Sequence, residues 1–371
     1  MLNMLGGLAS SLKGPAAPVP VAEPVHVEFE GKTTPEGRLP QHHQGRLRGI
    51  AATNANAEEA TPWLVTVGED RDVCVTNGST GELVSRIAGF TGRPGHPGHT
   101  DKVYCVAIWF NPAIQQHQIY TGGEDRQIRV WSLESGKNLQ ILEKKHTEFI
   151  HTLRVNEKTQ QLVSASYDKS MIIWSIKTGA PVTTITQDKV LFGCDINIEA
   201  RAVAGGCGTH VNLWDMASGR RNNVLRLHKR TVVSVAYPRT DLLVSGSDDR
   251  TLCIWNPTSE TAPLLQRIEA GLAMYALQVY DDGTAAFLLA GSFDAPHSIS
   301  VYNLESFRLT ATLTGHSSKI VDMALWADAE GMPKLGSLAW DANLLTFDLA
   351  EIVQAVHDAK QRAKHQTGKF V

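Results

Sequence analysis

Histidine and aspartate are the residues of this chain whose types and spacing could do chemistry together. A histidine held by a carboxylate is the general-base half of many hydrolytic sites. The clearest pairs are His99 with Asp125, His146 with Asp168, and His228 with Asp249. A catalytic arrangement is asymmetric and occurs once in a chain, whereas these pairs recur at similar spacing. We therefore interpret them as structural pairs, each belonging to one unit of a repeat.

Other signatures of enzymes, metal sites and cofactor sites are absent from the sequence. It contains no GxSxG, P-loop, HExxH or CxxC motif. Each cysteine lies in or beside an apolar run, so we expect buried, reduced thiols in an intracellular protein. They are Cys74, Cys105, Cys194, Cys207 and Cys253. We expect no enzymatic activity, no cofactor, no metal and no small-molecule substrate.

The overall composition is that of an ordinary folded protein. Charged residues are 20% of the 371 residues and hydrophobic residues 42%, which excludes extensive disorder. The net charge of -3 excludes a globally basic nucleic-acid or membrane binder, and no run approaches the roughly 20 apolar residues of a membrane span. The N-terminal apolar run is too short for a secretory signal and lacks the arginine of a mitochondrial transit peptide. We expect a cytoplasmic location, with a cytoskeletal, ciliary or mitochondrial assembly left open.

A repeat of about 40 residues organises the chain. Each unit has a small-residue run, usually an aspartate, and then an alternating apolar strand. The strands end in turn at Thr76, Trp131, Trp174, Trp214, Trp255, Tyr302 and Phe347. Five units also carry a histidine followed by apolar residues four and seven positions later, namely His43, His99, His146, His228 and His316. Turns such as NPAI and DDGT separate the apolar runs, which predicts four short antiparallel strands in each of seven units.

These units resemble WD40 repeats. The resemblance rests on Gly98-His99 through Trp131, on SGSDDRTLCIW and on GCGTHVNLWD, and the seven units in register cover roughly four-fifths of the chain. Only Trp214-Asp215 spells the Trp-Asp dipeptide of the family. The resemblance implies an all-β fold, a seven-bladed WD40 β-propeller over residues 24–349. It also implies an N-terminal closing strand, to which we add a short C-terminal α-helix.

The resemblance gives the recurring pairs a structural role. In the family, a histidine, a Ser or Thr, an aspartate and a tryptophan of one blade form a hydrogen-bonded chain. The matching sets are His99, Asp125 and Trp131; His146, Asp168 and Trp174; and His228, Asp249 and Trp255. Weaker sets are His43, Asp70 and Thr76, and His316, Asp341 and Phe347. The fourth unit has Gln187, Gly208 and Trp214, and the sixth Ala270, Asp294 and Tyr302. Because these two units lack the pattern, we expect their blades to depend on packing alone and to be softer.

The two ends of the chain have separate roles. The last blade needs a strand from elsewhere, and PVHVEFEG at residues 24–31 alternates Val25, Val27 and Phe29 on one face. This segment is our candidate for the closing strand, which removes exposed sheet edges. Residues 1–23 are expected to be a flexible tail. Residues 350–371 are predicted to form an amphipathic helix with a basic end, with Leu349, Ile352, Val353 and Val356 at helical spacing before Lys360, Arg362 and Lys364.

Both faces of the predicted disc carry candidate binding residues. The residue before each turn aspartate should surround the channel on the top face: Glu69, Glu124, Tyr167, Cys207, Asp248, Phe293 and Trp340. We expect a partner segment with apolar and basic residues to bind over the last, first and second blades, unless both aromatics fold back over their own loops. On the bottom face, Trp63, Trp109 and Trp326 are expected to cluster and to receive the C-terminal helix.

The sequence therefore favours a non-catalytic scaffold or adaptor subunit that binds protein partners in a larger assembly, an inference made by analogy with the family. The alternative is a ribosome- or RNA-associated WD40 protein with a basic face that the balanced charge hides. A ubiquitin-ligase adaptor is less favoured, because no arginine follows Trp214-Asp215. We expect no membrane partner, and nucleic acid only indirectly through the assembly.

Overall fold

The part of the chain that the structure describes is built almost entirely of short strands. This computed structural model describes residues 27–30, 32–33, 42–54, 61–91, 97–199, 201–261, 263–283 and 285–354. The first two strands are β1 (Val27–Glu30) and β2 (Lys32–Thr33). The remaining strands form seven blades in chain order.

Blades one to four each contain four consecutive antiparallel strands. Blade one consists of β3 (Leu47–Ala52), β4 (Trp63–Gly68), β5 (Val73–Asn77) and β6 (Leu83–Ile87). Blade two consists of β7 (Val103–Asn111), β8 (Gln116–Gly123), β9 (Ile128–Ser132) and β10 (Asn138–Ile141). Blade three consists of β11 (Ile150–Asn156), β12 (Gln161–Ser166), β13 (Ser170–Ser175) and β14 (Pro181–Thr186). Blade four consists of β15 (Leu191–Asn197), β16 (Ala202–Cys207), β17 (His210–Asp215) and β18 (Arg221–Arg226).

Blades five to seven continue the pattern to the end of the ring. Blade five consists of β19 (Val232–Arg239), β20 (Leu242–Ser247), β21 (Thr251–Trp255) and β22 (Leu264–Glu269). Blade six consists of β23 (Met274–Asp281), β24 (Ala286–Ser292), β25 (Ile299–Asn303) and β26 (Arg308–Thr314). Blade seven consists of β27 (Ile320–Ala327), β28 (Pro333–Ala339) and β29 (Leu344–Asp348), with β2 as its fourth strand.

The first strand of every blade lies innermost. These inner strands contact one another in a closed cycle, in which β3 contacts β7 and so on around the ring until β27 contacts β3. The middle strands are apolar on both faces because each blade packs between two neighbours; β13, for example, is buried at four consecutive positions. The outer strands alternate exposed and partly buried residues, as in β14. The predicted seven-bladed all-β propeller is confirmed.

An N-terminal strand closes the ring as predicted, but it is formed by other residues than those predicted. Residues 24–31 were expected to complete blade seven, but β1 instead pairs in parallel with β26, the outer strand of blade six. The closing strand of blade seven is β2, in which Lys32 and Thr33 pair antiparallel with Thr346 and Leu345. Both outer edges offer unpaired backbone groups, so the incoming segment binds one and then the other. Val25 lies outside the described residues.

A short helix, α1, follows the last strand over residues 349–354. Asp348 begins it, accepting hydrogen bonds from the backbone N–H groups of Ala350 (2.9 Å) and Glu351 (3.4 Å). Leu349 and Ile352 are each 2% exposed and pack in the core between blades six and seven. Val356, the basic residues Lys360, Arg362 and Lys364, and the predicted tail over 1–23 lie outside the described residues. Among those described, none belongs to a helix long and apolar enough to span a bilayer.

Candidate functional site

The histidine–aspartate pairs are the inner parts of longer hydrogen-bonded relays. In blade three, Asp168 lies 2.8 Å from His146 Nδ1, and Ser164 Oγ lies 2.8 Å from His146 Nε2. Trp174 Nε1 donates to the same Ser164 oxygen at 2.8 Å. Because the carboxylate can only accept, the imidazole carries its proton on Nδ1 and accepts the serine hydroxyl at Nε2. The relay therefore runs from indole to hydroxyl to imidazole to carboxylate and joins the second strand, the third strand and the turn.

The same relay recurs in two other blades. In blade two, His99 contacts Asp125 at 2.9 Å and Thr121 at 2.7 Å, and Trp131 donates to Thr121 at 2.8 Å. In blade five, His228 lies 3.2 Å from Asp249 and 2.8 Å from Ser245 Oγ, to which Trp255 donates at 2.9 Å.

Blades one and seven have the relay without its indole. His43 contacts Asp70 at 2.8 Å and Thr66 at 3.1 Å, and the buried hydroxyl of Thr76 at the tryptophan position has no hydrogen-bond partner in the described structure. In blade seven His316 contacts Asp341 at 3.1 Å and Ser337 at 2.8 Å, and Phe347 offers no donor.

The electrostatics of the relays match a structural role. Burial lowers the pKa of His99 and outweighs the opposing effect of Asp125. Burial by itself would raise the pKa of Asp341, but hydrogen bonds from His316 and two backbone N–H groups hold it at about 2. The His99 imidazole is thus neutral, with both nitrogens engaged. It has no free nitrogen with which to take a proton from a substrate.

Blades four and six replace the relay with other contacts. In blade four, Asn212 Nδ2 donates to Gln187 Oε1 at 3.1 Å, and Gly205 stands where the relay needs a hydroxyl. In blade six, Asp294 accepts the backbone N–H of Ala273 at 3.3 Å. The predicted softness of these two blades remains a prediction.

The top face, which carries the turns between second and third strands, is built on one regular contact. In six blades the residue before the turn donates its backbone N–H to a carbonyl at the start of the inner strand, at 2.8 to 3.1 Å. The pairs are Glu69 with Arg46, Glu124 with Lys102, Tyr167 with Phe149, Asp248 with Thr231, Phe293 with Ala273, and Trp340 with Lys319. The predicted top-face residues therefore lie beside the first residues of the inner strands.

A β-bulge near the start of each inner strand brings a further residue into the channel. The pairing of the inner strand with the second strand skips one residue in all seven blades. The skipped residues are Arg48, Tyr104, His151, Gly193, Val233, Tyr275 and Val321, and all of them line a cavity of about 460 Å³. We call these residues, together with the six backbone pairs above, the collar.

The channel residues of the collar were missed at the sequence level, although a signal was present. In five blades the skipped residue lies five positions after the blade histidine, between the apolar residues at four and seven. A bulge at this point is what turns that position toward the channel.

Aromatic rings of the collar contact one another across blade boundaries. Phe149 stacks on Tyr167 with centroids 3.9 Å apart, and Tyr167 meets Phe192 of blade four edge-on at 5.6 Å. On the other side of the ring, Phe293 stacks on Tyr275 of its own blade at 4.2 Å. Phe293 also meets Trp340 of blade seven at 5.7 Å. Phe293 thus folds partly over its own blade while joining the next one.

Three cations surround Trp340. The charged groups of Arg46, Arg48 and Lys319 lie 4.7, 5.0 and 4.9 Å from its ring centroid. Lys319 also lies 3.9 Å from the ring centroid of Phe293. These distances are those of cation–π contacts. We call Arg46, Arg48, Phe293, Lys319 and Trp340 the Trp340 cluster; it extends over blades six, seven and one.

The acidic residues of the collar are already paired. Glu69 forms an ion pair with Arg48, and Glu124 lies 3.5 Å from Lys102 Nζ and 3.3 Å from the Tyr104 hydroxyl. Asp248 accepts a hydrogen bond from the Tyr275 hydroxyl at 3.0 Å. The expectation of a partner segment with apolar and basic residues stays a prediction; such a segment would have to compete with the cations that already pair with Glu69 and Glu124. Cys207 is buried and presents no contact surface.

The bottom-face prediction is wrong. Trp109 and Trp326 are 5% and 3% exposed and lie in different cores, between blades two and three and between blades seven and one. Trp63 packs partly buried between blades one and two. Equivalent positions of a ring occupy separate spaces between blades, so they do not meet. Helix α1 packs elsewhere, in the core between blades six and seven.

Polar groups deeper in the channel connect neighbouring blades. Arg154 of blade three lies 3.1 Å from Asp195 of blade four. Asp322 of blade seven accepts the backbone N–H of Ile50 in blade one at 2.9 Å. Within the described ranges, no group of three or more His, Cys, Asp or Glu residues is placed to hold a metal ion. The Arg154–Asp195 and Asp322–Ile50 contacts therefore join neighbouring blades.

A comparison with known protein families identifies three copies of one repeat in this chain. A family model described as "WD domain, G-beta repeat" matches residues 92–132, 136–175 and 219–256. The chain is 23% identical over 242 residues to transcription initiation factor TFIID subunit 5 of Caenorhabditis elegans, which covers 64% of this chain and 35% of that protein. It is 25% identical over 203 residues to pre-mRNA-processing factor 19 of Mus musculus, covering 53% of this chain and 36% of that protein.

The match to a third relative spans a larger share of that relative's length. The chain is 23% identical over 259 residues to a ribosome biogenesis protein, a WDR12 homolog of Nematostella vectensis, covering 60% of this chain and 61% of that protein. The chain thus spans between about a third and three-fifths of the length of these relatives.

Proposed function

We propose that this chain, which belongs to the WD40-repeat family of β-propellers, is a non-catalytic scaffold or adaptor subunit that holds protein partners in a larger assembly. One observation carries the proposal. Every blade contributes to a collar in which half-buried aromatic rings stand beside charged groups at the mouth of the channel. Aromatic residues and arginine are the usual anchors of protein interfaces.

The rest of the molecule supports binding rather than catalysis. The histidines of the histidine–aspartate pairs are held in relays with both nitrogens engaged. Three of the relatives named above are, by name, a subunit of a transcription initiation factor, a pre-mRNA-processing factor and a ribosome biogenesis protein. As part of the same proposal we keep the predicted division into a tail over 1–23, a propeller over 24–349 and a C-terminal helix and basic tail over 350–371.

The proposal is tested by partner capture with variants of the collar. Phe293→Ala and Trp340→Ala in the full chain should each reduce the set of proteins that co-purify from native cells, as measured by quantitative mass spectrometry. The matched control is Phe110→Ala, an exposed aromatic at the opposite end of an inner strand, which should leave the set unchanged. An unchanged set with both collar variants, or an equal loss with the control, contradicts the proposal.

A second candidate is an RNA- or ribosome-associated role. The residue after the turn aspartate is an exposed cation in four blades, namely Arg71, Arg126, Lys169 and Arg250, and each adopts the left-handed conformation that projects from the turn. One relative is, by name, a ribosome biogenesis protein. Binding of single-stranded RNA that weakens steeply with salt, and weakens further in a variant with all four cations changed to alanine, would favour this candidate.

The cytoplasmic location expected from the sequence is kept only as a proposal. All five cysteines are buried free thiols, as expected inside the cell. The names of the relatives given above do not specify the cytoplasm. Imaging of the tagged full chain in native cells tests the location.

A further inference from the structure

We propose that the Trp340 cluster binds an acidic peptide segment of a protein partner, in which a carboxylate lies next to an aromatic or large aliphatic side chain. The carboxylate would lie between Arg46 and Lys319, and the apolar side chain against Trp340 and Phe293. This inference rests on the proposed scaffold function and adds the chemistry of the partner.

The charge balance of the cluster is the first support. Three cations lie within about 5 Å of one indole ring, yet only Arg48 has a carboxylate partner, Glu69. Arg46 and Lys319 form neither an ion pair nor a hydrogen bond through their side chains within the described residues. Like charges gathered around one ring repel one another, and a ligand carboxylate placed among them reduces that cost.

The other charged groups around the cluster leave this positive charge uncompensated. Asp341 is occupied by His316 and by the backbone N–H of Ser317 at 2.9 Å. Asp294, beside Phe293, accepts the N–H of Ala273 and lies 3.9 Å from Arg250. Neither carboxylate forms a contact with Arg46 or Lys319.

The cluster is ordered before a ligand arrives. Arg46 is exposed and Lys319 partly exposed, but both are held against aromatic rings. A cation already fixed in place loses little side-chain entropy when it binds a carboxylate. The unpaired polar groups of the cluster that a ligand can reach, the Arg46 guanidinium and the Lys319 ammonium, are both donors, which favours a ligand that brings acceptors.

A peptide fits the surroundings better than a nucleic-acid strand. A strand with a phosphate at every nucleotide needs several free cations along the mouth of the channel, whereas Arg48 and Lys102 there are already paired with Glu69 and Glu124. A single carboxylate side chain needs only the pair of free cations. The stacked rings, such as Phe293 on Tyr275, also have one face already covered, which limits stacking with bases.

The test is an unbiased selection of short random peptides displayed on phage, with the full chain as the target. We expect the selected sequences to be enriched in Asp or Glu near Trp, Phe or Leu. Synthetic peptides from the selection should bind Lys319→Glu and Arg46→Glu about tenfold more weakly in fluorescence anisotropy. Lys319→Arg should retain binding. The control is Lys169→Glu, the same charge change at an exposed turn of blade three, with an unchanged affinity.

Reversing the charge of both the peptide and the protein tests the proposed contact directly. Peptides whose Asp and Glu are replaced by Lys should fail on the unmodified chain and regain binding with Lys319→Glu. The inference is overturned if the selection yields basic peptides or no acidic peptide. It is also overturned if Lys169→Glu weakens peptide binding as much as Lys319→Glu does, or if single-stranded RNA binds more tightly than the peptides. Because partner capture with Phe293→Ala and Trp340→Ala is read separately, the scaffold function can stand while this inference fails.

Discussion

Replacing Ser164 with alanine should destabilise blade three more than the loss of one hydroxyl normally does. Ser164 is fully buried and joins two partners, accepting from Trp174 and donating to His146 Nε2. Alanine leaves a buried indole N–H and a buried imidazole nitrogen without partners. An unpaired buried polar group costs about 1 to 3 kcal/mol, so the variant, which leaves two such groups, should lose about 2 to 6 kcal/mol of unfolding free energy.

Blade seven provides the matched control for this prediction. Ser337 is equally buried and contacts His316 Nε2 at 2.8 Å, but Phe347 stands in place of the tryptophan. Ser337→Ala therefore leaves one partner unpaired and should cost about 1 to 3 kcal/mol. The two substitutions are chemically identical, so the difference between them isolates the indole.

The assay is urea unfolding followed by tryptophan fluorescence and far-ultraviolet circular dichroism, with coincident transitions as the check on two-state behaviour. Hydrogen exchange measured on peptides of blades three and seven gives the local opening free energies if the transitions do not coincide. Equal losses for Ser164→Ala and Ser337→Ala, or a loss under about 1 kcal/mol for Ser164→Ala, would refute the relay as we describe it.

Three further outcomes follow from the channel. Asp322→Ala removes the carboxylate of blade seven that accepts the backbone N–H of Ile50 in blade one. It should lower the free energy of unfolding in urea by about 1 to 3 kcal/mol. The control Asp281→Ala removes a carboxylate at the rim that pairs with Arg239, and should lower it by less than about 0.5 kcal/mol. Gly193 has a φ of +55° and a Cβ there would lie 2.6 Å from Ser234 Cα, so Gly193→Ala should lower the melting temperature markedly and lose cooperativity. Burial lowers the pKa of His151 to about 4, so the folded protein holds this side chain neutral. Its contribution to the free energy of unfolding is therefore complete above pH 6.5 and is lost as the pH falls from 6.5 to 4. His151→Gln should reduce the change in unfolding free energy across this pH range, as measured by urea unfolding at several pH values.

The ring itself was predictable because its signals repeat. A histidine with apolar residues four and seven positions later marks an inner strand in five blades, and each copy makes the others more certain. The closing strand has no such support. Lys32 and Thr33 show no apolar alternation, and the segment 24–31, which does, pairs with blade six. An edge strand is held mainly by backbone hydrogen bonds, which leave little trace in the sequence.

The collar was predictable by position but not by charge. The turn aspartates locate Glu69 and Trp340 correctly at the top face. The partner of Glu69 is Arg48, whose direction depends on a bulge that the period of the strand does not show. Contacts between side chains of different strands therefore set the electrostatics of the face, and a strand-by-strand interpretation does not show them.

The proposed binding surface lies on three of the four blades that depart from the repeat; blade four also lacks the relay and contributes no residue to it. The Trp340 cluster is drawn from blade six, which has no relay, and from blades seven and one, whose relays lack the indole. The blades with complete relays, two, three and five, contribute no residue to it. Local rules of a fold are most often broken where the chain does something besides fold. The departures of Thr76, Phe347 and Ala270 are thus not only degeneracy of the repeat, since they occur in the three blades that place two free cations and two aromatic rings together at the mouth of the channel.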